Sequence, residues 1–177
     1  MSTKTPKGSR RRFVEAGLVQ RSPFPYFVLR DDDHNLRMVA PRLWVGAEHA
    51  PKKTPAGRWK LVVDLYGVPL EEGEDGRYRE ADEVLHWPFI DGEQFPVGLL
   101  DAAVSRVQQA RAMGHVLVHC QAGLSRSAST AYACLRVLDG LSHEEAFQRV
   151  YCGEPDFPRK TTIGSARSWV QRQIGRR

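Results

Sequence analysis

The stretch VLVHCQAGLSRSAS, residues 116–129, joins a strand to a helix through a short loop. The apolar run 116–118 predicts a strand that is buried on both faces of a sheet. Residues 127–138 are mostly small and predict a closely packed helix. Between these elements, Cys120 and Arg126 are separated by five small or neutral residues. So short a loop can turn its backbone N–H groups inward, which makes it an anion-binding nest.

Strands and helices alternate on both sides of this loop. Further strands are predicted at 43–45, 60–65 and 84–90, and Pro88 shortens the last of them. Further helices are predicted at 99–113 and, after a capping box, at 142–152. A last helix is predicted over the final residues, where one stripe contains Ile163, Ala166, Val170 and Ile174. This alternation predicts an α/β fold with a central, mostly parallel sheet of four to five strands, flanked by helices on both faces.

Three segments fall outside the alternation. Residues 1–12 are polar and basic and predict a disordered tail, so that residues 13–177 form a single domain. Residues 13–40 are interpreted only as an N-terminal approach to that domain. Residues 67–83, rich in glycine and acids, predict an exposed acidic loop.

Cys120 and Arg126 have the chemistry that phosphoryl transfer needs. Ligands of α/β sheets bind beyond the carboxyl ends of the strands, where a following helix N-terminus attracts anions. A thiol placed there beside a guanidinium favours the thiolate, which is a strong nucleophile. Arg126 can grip two oxygens of a tetrahedral dianion, and Ser127 follows within reach of the sulfur. The loop therefore indicates covalent catalysis through a phosphocysteine, with Arg126 and the nest in place of a metal or other cofactor.

Residues 119–127 resemble the His-Cys-x5-Arg-Ser signature of the cysteine-based protein tyrosine phosphatases, and the flanking letters are most similar to the dual-specificity branch. The resemblance covers residues 41–152. It implies a dual-specificity phosphatase-like fold, with a catalytic domain at 13–177. In it Cys120 is the nucleophile and Ser127 assists its departure. The phosphate-binding residues it implies are Gln121, Ala122, Gly123, Leu124, Ser125 and Arg126.

The leaving oxygen of a phosphoester needs a proton from an acid at the mouth of the pocket. Asp91, Glu93 and Asp101 lie upstream of the loop. The resemblance favours Asp91, because the family carries its acid about thirty residues before the cysteine. Asp91-Gly92 is also a strong turn signal by itself. Asp101 fits the first turn of a helix for electrostatic reasons alone.

Other reactive side chains are assigned to structure. The resemblance implies that His119 orders the loop from below, and Asp64, at the end of a buried strand, is interpreted as structural. The chain has three cysteines and no Cys-x-x-Cys pair, which disfavours a disulfide scaffold or a structural zinc site. Cys134 is predicted to pack in the core. Cys152 remains a candidate for a protective disulfide with oxidised Cys120.

The substrate class follows mainly from the resemblance. A dual-specificity pocket admits phosphotyrosine and phosphoserine or phosphothreonine of phosphoproteins. The loop contains no lysine, unlike the loops of phosphoinositide-directed relatives. Phosphatase action on RNA 5′ ends or another non-protein phosphoester, and a catalytically weak phospho-binding module, stay open as alternatives.

The net charge of +5 comes from the first twelve residues. Lys4, Lys7, Arg10, Arg11 and Arg12 lie there without an acid, so residues 4–12 can bind nucleic acid or an acidic surface. Neither a membrane-spanning run nor a signal-peptide pattern is evident in the sequence. Together with the unpaired cysteines, this predicts a cytoplasmic protein.

Overall fold

A computed structural model describes residues 28–29, 36–54, 57–66, 78–151, 153 and 156–176. The strands are β1 (Val28–Leu29), β2 (Leu36–Ala40), β3 (Leu43–Gly46), β4 (Trp59–Asp64), β5 (Val84–His86) and β6 (His115–His119). The helices are α1 (Leu99–Met113), α2 (Arg126–Val137), α3 (His143–Val150) and α4 (Lys160–Ile174). The tail at 1–12, Cys152 and most of the predicted acidic loop lie outside these residues.

The strands form one sheet in the order β1-β2-β3-β6-β4-β5. Its core of β3, β6, β4 and β5 is parallel, and β2 and β1 extend it as antiparallel strands on one side. The predicted mostly parallel α/β sheet with flanking helices is therefore confirmed. The interpretation of residues 13–40 as a mere approach was wrong for β1 and β2, which raise the number of strands to six.

The two faces of the sheet have different covers. Val116 and Val118 point into a large core shared with α1, α2, α3 and α4, whereas Leu117 points the other way. Helices were expected on both faces, but all four α-helices pack on one. Within the described residues, the only helix packed on the other face is a 3-10 helix at Ala50–Lys52, next to Trp59 and the segment around Tyr78.

Helix α2 passes through the middle of the helical layer. Residues 126–135 are all buried, and the helix packs against α1, α3 and α4. The small side chains of Ala128, Ala131 and Ala133 allow this close approach. A capping box begins α3 as predicted, with Ser142 and Glu145 exchanging hydrogen bonds.

The register of the parallel strands sets the position of the site. Gly46 at the end of β3 and Asp64 at the end of β4 both pair with His119 at the end of β6. Three carboxyl ends therefore meet at one edge, and the chain leaves β6 into residues 120–126 at that edge. Among the described residues, no helix is long and apolar enough to span a membrane.

Candidate active site

In residues 120–126, called the phosphate loop below, two carbonyl groups are bonded to residues outside the loop. The carbonyl of Gln121 accepts a hydrogen bond from the Glu48 amide at 2.9 Å, and that of Gly123 accepts one from Arg37 at 2.9 Å. The N–H groups of Gln121, Gly123, Leu124 and Ser125 have no hydrogen-bond partner in the described part of the chain. Such a set of unused donors on one short loop is an anion-binding arrangement.

Gly123 lets the loop pack directly on the end of β3. Its φ is +72°, and a Cβ there would lie 2.7 Å from the carbonyl carbon of Gly46 and 2.9 Å from the amide nitrogen of Ala47. Both neighbours are backbone atoms, which cannot rotate away. A side chain at position 123 would therefore strain the loop and push it off the strand.

Cys120 lies at the base of the loop and is 2% exposed. Its Sγ is 3.2 Å from the Oγ of Ser127, which is fully buried in the first turn of α2. Since a thiolate can only accept a hydrogen bond, the serine hydroxyl is the donor whenever the sulfur is ionised. The geometry can thus stabilise negative charge on the sulfur.

Arg126 is buried, and the Nη1 edge of its guanidinium is fixed by hydrogen bonds to two carbonyls. Nη1 donates to the carbonyls of Leu65 at 2.8 Å and Phe89 at 2.7 Å. Nε is buried without a hydrogen-bond partner, and Nη2 also donates to no described group. The fixed edge locks the plane of the guanidinium, and the Nε–Nη2 edge is left for a planar pair of acceptor oxygens.

Asp91 lies at the mouth of the site between two guanidinium groups. Its Oδ1 is 3.8 Å from Nε of Arg126, and its Oδ2 is 3.9 Å from Nε of Arg159. The side chain is 31% exposed, so its carboxylate is accessible from solvent. Of the three acids considered from sequence, Asp91 is the one whose carboxylate lies within 4 Å of Arg126 in the described part of the chain.

The other two acids have different surroundings. Asp101 accepts hydrogen bonds from Trp169 at 3.3 Å and Gln173 at 3.2 Å, which ties α1 to α4. Glu93 is exposed, and its carbonyl accepts from Thr162 of α4 at 3.1 Å. The Thr162 contact holds the loop at 89–96, called the acid loop below, against α4.

A polar cluster lies below the phosphate loop. The buried carboxylate of Asp64 accepts from the Tyr78 hydroxyl at 2.6 Å and lies 2.7 Å from Nδ1 of His86. Nε2 of His119 is 3.3 Å from the same carboxylate and 3.2 Å from the Tyr78 hydroxyl. His119 is fully buried. That it orders the phosphate loop stays a prediction.

Arg37 contacts the phosphate loop, which was not predicted from the sequence. It is 5% exposed and donates to the carbonyls of Gly123 at 2.9 Å and Val150 at 2.9 Å. It thereby connects β2 and α3 to the phosphate loop. An arginine in a segment without recognised secondary structure carries no sequence signal for such a contact.

Cys134 is a buried thiol in α2, as predicted. Burial raises its pKa to about 12, which keeps it protonated and inert. Cys152, the other redox candidate, is not among the described residues. In the described ranges, no group of three or more His, Cys, Asp or Glu side chains could hold a metal ion.

Comparison of sequences finds a relative over part of the chain. A segment of 58 residues, 32% of this chain, is 43% identical to human dual specificity protein phosphatase 12. That segment is 17% of the human protein, so the chain spans a small part of the curated relatives it matches. No family model matches the chain.

Comparison of structures covers most of the chain. Human DUSP28 superposes with a TM-score of 0.65 at 24% identity, over 78% of this chain and 98% of that one. PTPMT1 in complex with PI(5)P superposes with a TM-score of 0.61 at 17% identity, over 80% and 97%. Together with the matched segment, the shared fold confirms the resemblance to the dual-specificity phosphatases of the cysteine-based superfamily.

Proposed function

We propose that the protein is a cysteine-dependent phosphatase that hydrolyses phosphotyrosine and phosphoserine or phosphothreonine in proteins. One observation carries the proposal: unpartnered N–H groups and the unused edge of Arg126 occur together on the loop that begins with the Cys120 sulfur. They form a site for a tetrahedral dianion with a nucleophile at its base. The free thiols of Cys120 and Cys134 favour a reducing compartment, and we place the protein in the cytoplasm.

In the first step the Cys120 thiolate attacks phosphorus in line with the ester oxygen. A phosphorus–sulfur bond forms and the phosphorus–oxygen bond breaks. Arg126 and the N–H groups of the loop bind the phosphoryl oxygens, on which negative charge is held. Asp91, in its acid form, gives its proton to the leaving oxygen.

In the second step water hydrolyses the phosphocysteine. The Asp91 carboxylate accepts a proton from the attacking water, and the phosphorus–sulfur bond breaks. Ser127 donates a hydrogen bond to the departing sulfur, to which it is already placed at 3.2 Å. The enzyme returns to its starting state with free inorganic phosphate.

The protein substrate is the finer part of the proposal. It is supported by the matched segment of dual specificity protein phosphatase 12, whose name gives protein as its substrate. A second candidate is a non-protein phosphoester, since PTPMT1 has the same fold and is seen with PI(5)P. The phosphate loop here has no lysine to meet further phosphates, which favours the protein substrate.

Hydrolysis of an aryl phosphate in the presence of a chelator tests the activity. We expect turnover by the wild type and none above background by Cys120→Ser, which keeps the size of the side chain but removes the thiolate. A wild type that binds phosphopeptides without turnover would make the protein a phospho-binding module. Faster release of phosphate from PI(5)P or a 5′-phosphorylated RNA than from any phosphopeptide would move it to the second candidate.

A further inference from the structure

The C-terminal helix has a one-sided charge. Residues 157–176 contain no aspartate or glutamate, while Arg159, Lys160, Arg167, Arg172 and Arg176 are all basic. The positive charge of the described chain is therefore concentrated in and beside α4. The proposed chemistry assigns no role to four of them, namely Lys160, Arg167, Arg172 and Arg176.

A groove runs between α4 and the acid loop and has a volume of about 750 Å³. Three of the basic side chains, Lys160, Arg172 and Arg176, line it, together with Gln94 and Ser165. We call it the α4 groove. Its lining thus combines cations with amide and hydroxyl groups that can hydrogen-bond an extended chain.

The cations of the α4 groove are available to a ligand. Lys160, Arg172 and Arg176 are exposed, and none of them forms an ion pair with a described residue. Asp101 is the one acid among the described residues that line the groove, and its carboxylate already accepts from Trp169 and Gln173. The groove therefore has a net positive charge that nothing within the described chain neutralises.

Close contacts lead from the active site to the residues that line the groove. Arg126 lies 3.8 Å from Asp91, Asp91 lies 3.9 Å from Arg159, and Lys160 follows Arg159 in sequence. The acid loop is also fixed to α4, where the Phe95 amide donates to Ser165 at 3.1 Å. A peptide whose phosphate is bound in the phosphate loop can therefore extend past Asp91 and Arg159 toward the α4 groove.

We propose that the α4 groove binds acidic residues next to the phosphorylated residue of a phosphoprotein substrate. This inference rests on the proposed phosphatase function and names the substrate class within it. Lys160 and Arg172 are about 18 Å apart along the helix, a distance spanned by about five to six residues of extended chain. Several glutamates or aspartates on one side of the phosphorylated residue can therefore meet these cations together.

An acidic peptide fits the groove better than a nucleic acid does. Single-stranded RNA and DNA bind by stacking bases on exposed aromatic rings in addition to charge. The aromatic rings of the groove are already used: Trp169 is 9% exposed, and Phe95 packs on Phe89 with ring centroids 4.9 Å apart. A peptide needs only the cations and polar groups that the groove offers.

The test compares phosphotyrosine peptides that differ only in their flanks. One carries a glutamate block before the phosphotyrosine, one carries the block after it, and the reference carries glutamines at the same positions. The wild type is expected to show about tenfold higher kcat/KM for one of the glutamate peptides than for the reference at low salt. Lys160→Gln with Arg172→Gln should remove most of that preference.

A matched control separates the groove from net charge. Arg79→Gln with Arg167→Gln also removes two exposed cations, neither of them in the groove, and should keep the preference. All variants should hydrolyse a small aryl phosphate at the wild-type rate. Equal kcat/KM for all peptides, or a preference that both double variants keep, would overturn the inference. So would a 5′-phosphorylated RNA that exceeds every peptide and loses this advantage in the groove variant.

A binding assay keeps the inference testable if turnover fails. Cys120→Ser protein is titrated with the same peptides, labelled with a fluorophore. About tenfold tighter binding of a glutamate peptide, lost when the two groove substitutions are added, supports the groove even if the wild type proves inactive. Equal affinities would contradict the groove while leaving the catalytic proposal intact.

Discussion

Two arginines, Arg37 and Arg126, are buried beside the phosphate loop and use their guanidinium groups in different ways. Arg37 donates from both terminal nitrogens to carbonyls, one of Gly123 and one of Val150. Arg126 donates to two carbonyls from Nη1 alone, and its Nη2 has no described acceptor. One side chain holds the loop in place, and the other is held in place so that it can bind a ligand.

The comparison shows that burial does not by itself separate structural from functional arginines. The two residues are 5% and 6% exposed. The difference lies in whether the protein supplies acceptors to the terminal nitrogens. An unused terminal nitrogen of a buried guanidinium is costly unless a ligand satisfies it, which makes it a better indicator of a site than burial is.

The largest expected effects come from substituting the two arginines. Arg126→Lys should lower kcat/KM for an aryl phosphate by about a thousandfold, since lysine cannot bind two oxygens in a fixed plane. Arg37→Met should lower the free energy of unfolding by about 2–4 kcal/mol because two buried carbonyls lose their donor. Kinetics and thermal unfolding of both variants measure the two effects.

For Arg37→Met we expect a melting temperature lower by about 5–10 °C and a much smaller loss of activity than for Arg126→Lys. The Arg126 variant should unfold close to the wild-type temperature. The reverse result, an unstable Arg126→Lys variant and a stable but inactive Arg37→Met variant, would contradict the roles given to the two arginines.

Asp91 and Asp101 form a second pair, in which one acid lies at the active site and the other connects two helices. Asp91→Asn should lower kcat for a phosphoserine peptide by a factor of about 10² to 10⁴, because its alkoxide leaving group needs a proton. The loss should be smaller for p-nitrophenyl phosphate, whose leaving group needs little help. Asp101→Asn should leave kcat unchanged for both substrates and lower stability by less than about 1 kcal/mol. An equal loss with both leaving groups would remove Asp91 as the acid.

Ser127→Ala tests the partner of the sulfur in the second step. The loss of one hydrogen bond worth about 1.4 kcal/mol should slow phosphocysteine hydrolysis about tenfold. Rapid mixing with p-nitrophenyl phosphate should then show a burst of p-nitrophenol followed by slow turnover. A uniform slowing without a burst would place Ser127 in the first step instead.

The smallest effect concerns the opposite face of the sheet, away from the phosphate loop. Trp44 donates to Nδ1 of His115 at 3.0 Å, which requires a neutral imidazole. Burial, with the nearby charge of Arg42, lowers the pKa of His115 below its ordinary value. The unfolded chain therefore binds the proton more readily, and stability falls as the pH drops below the unfolded value of about 6.5.

Thermal unfolding between pH 7.5 and 5.5, values that bracket a histidine pKa of about 6.5, measures this effect. His115→Gln should lose less of its melting temperature over that interval than the wild type, with kcat at pH 7.5 unchanged. An identical pH dependence of the two proteins would contradict the role of His115.

Much of the fold could be predicted from local sequence. The apolar run before Cys120, the helical spacing at 99–113 and the capping box at Ser142 each gave an element within a few residues of its observed ends. These signals are local, since periodicity and caps act within one or two turns. The loop motif likewise predicts that Cys120, Arg126 and Ser127 lie together.

The rest depends on contacts between distant segments. β2 could not be recognised because Leu36–Ala40 is short, is almost wholly buried and contains a charged residue, Arg37. Its contact with Gly123 links positions 86 residues apart. The use of Asp101 between α1 and α4, and the groove beside α4, also arise only when the helices are packed. No pattern within one segment encodes such pairings.

Acid quenching of the reacting enzyme, followed by mass spectrometry, tests directly whether Cys120 carries a phosphoryl group during turnover. Ser127→Ala protein is mixed with excess aryl phosphate, quenched during the burst and digested. We expect one added phosphoryl group on the peptide that contains Cys120, and none in a sample that also carries Cys120→Ser. Turnover of the wild type with no phosphoryl group on that peptide in the variant would contradict a phosphocysteine at this loop.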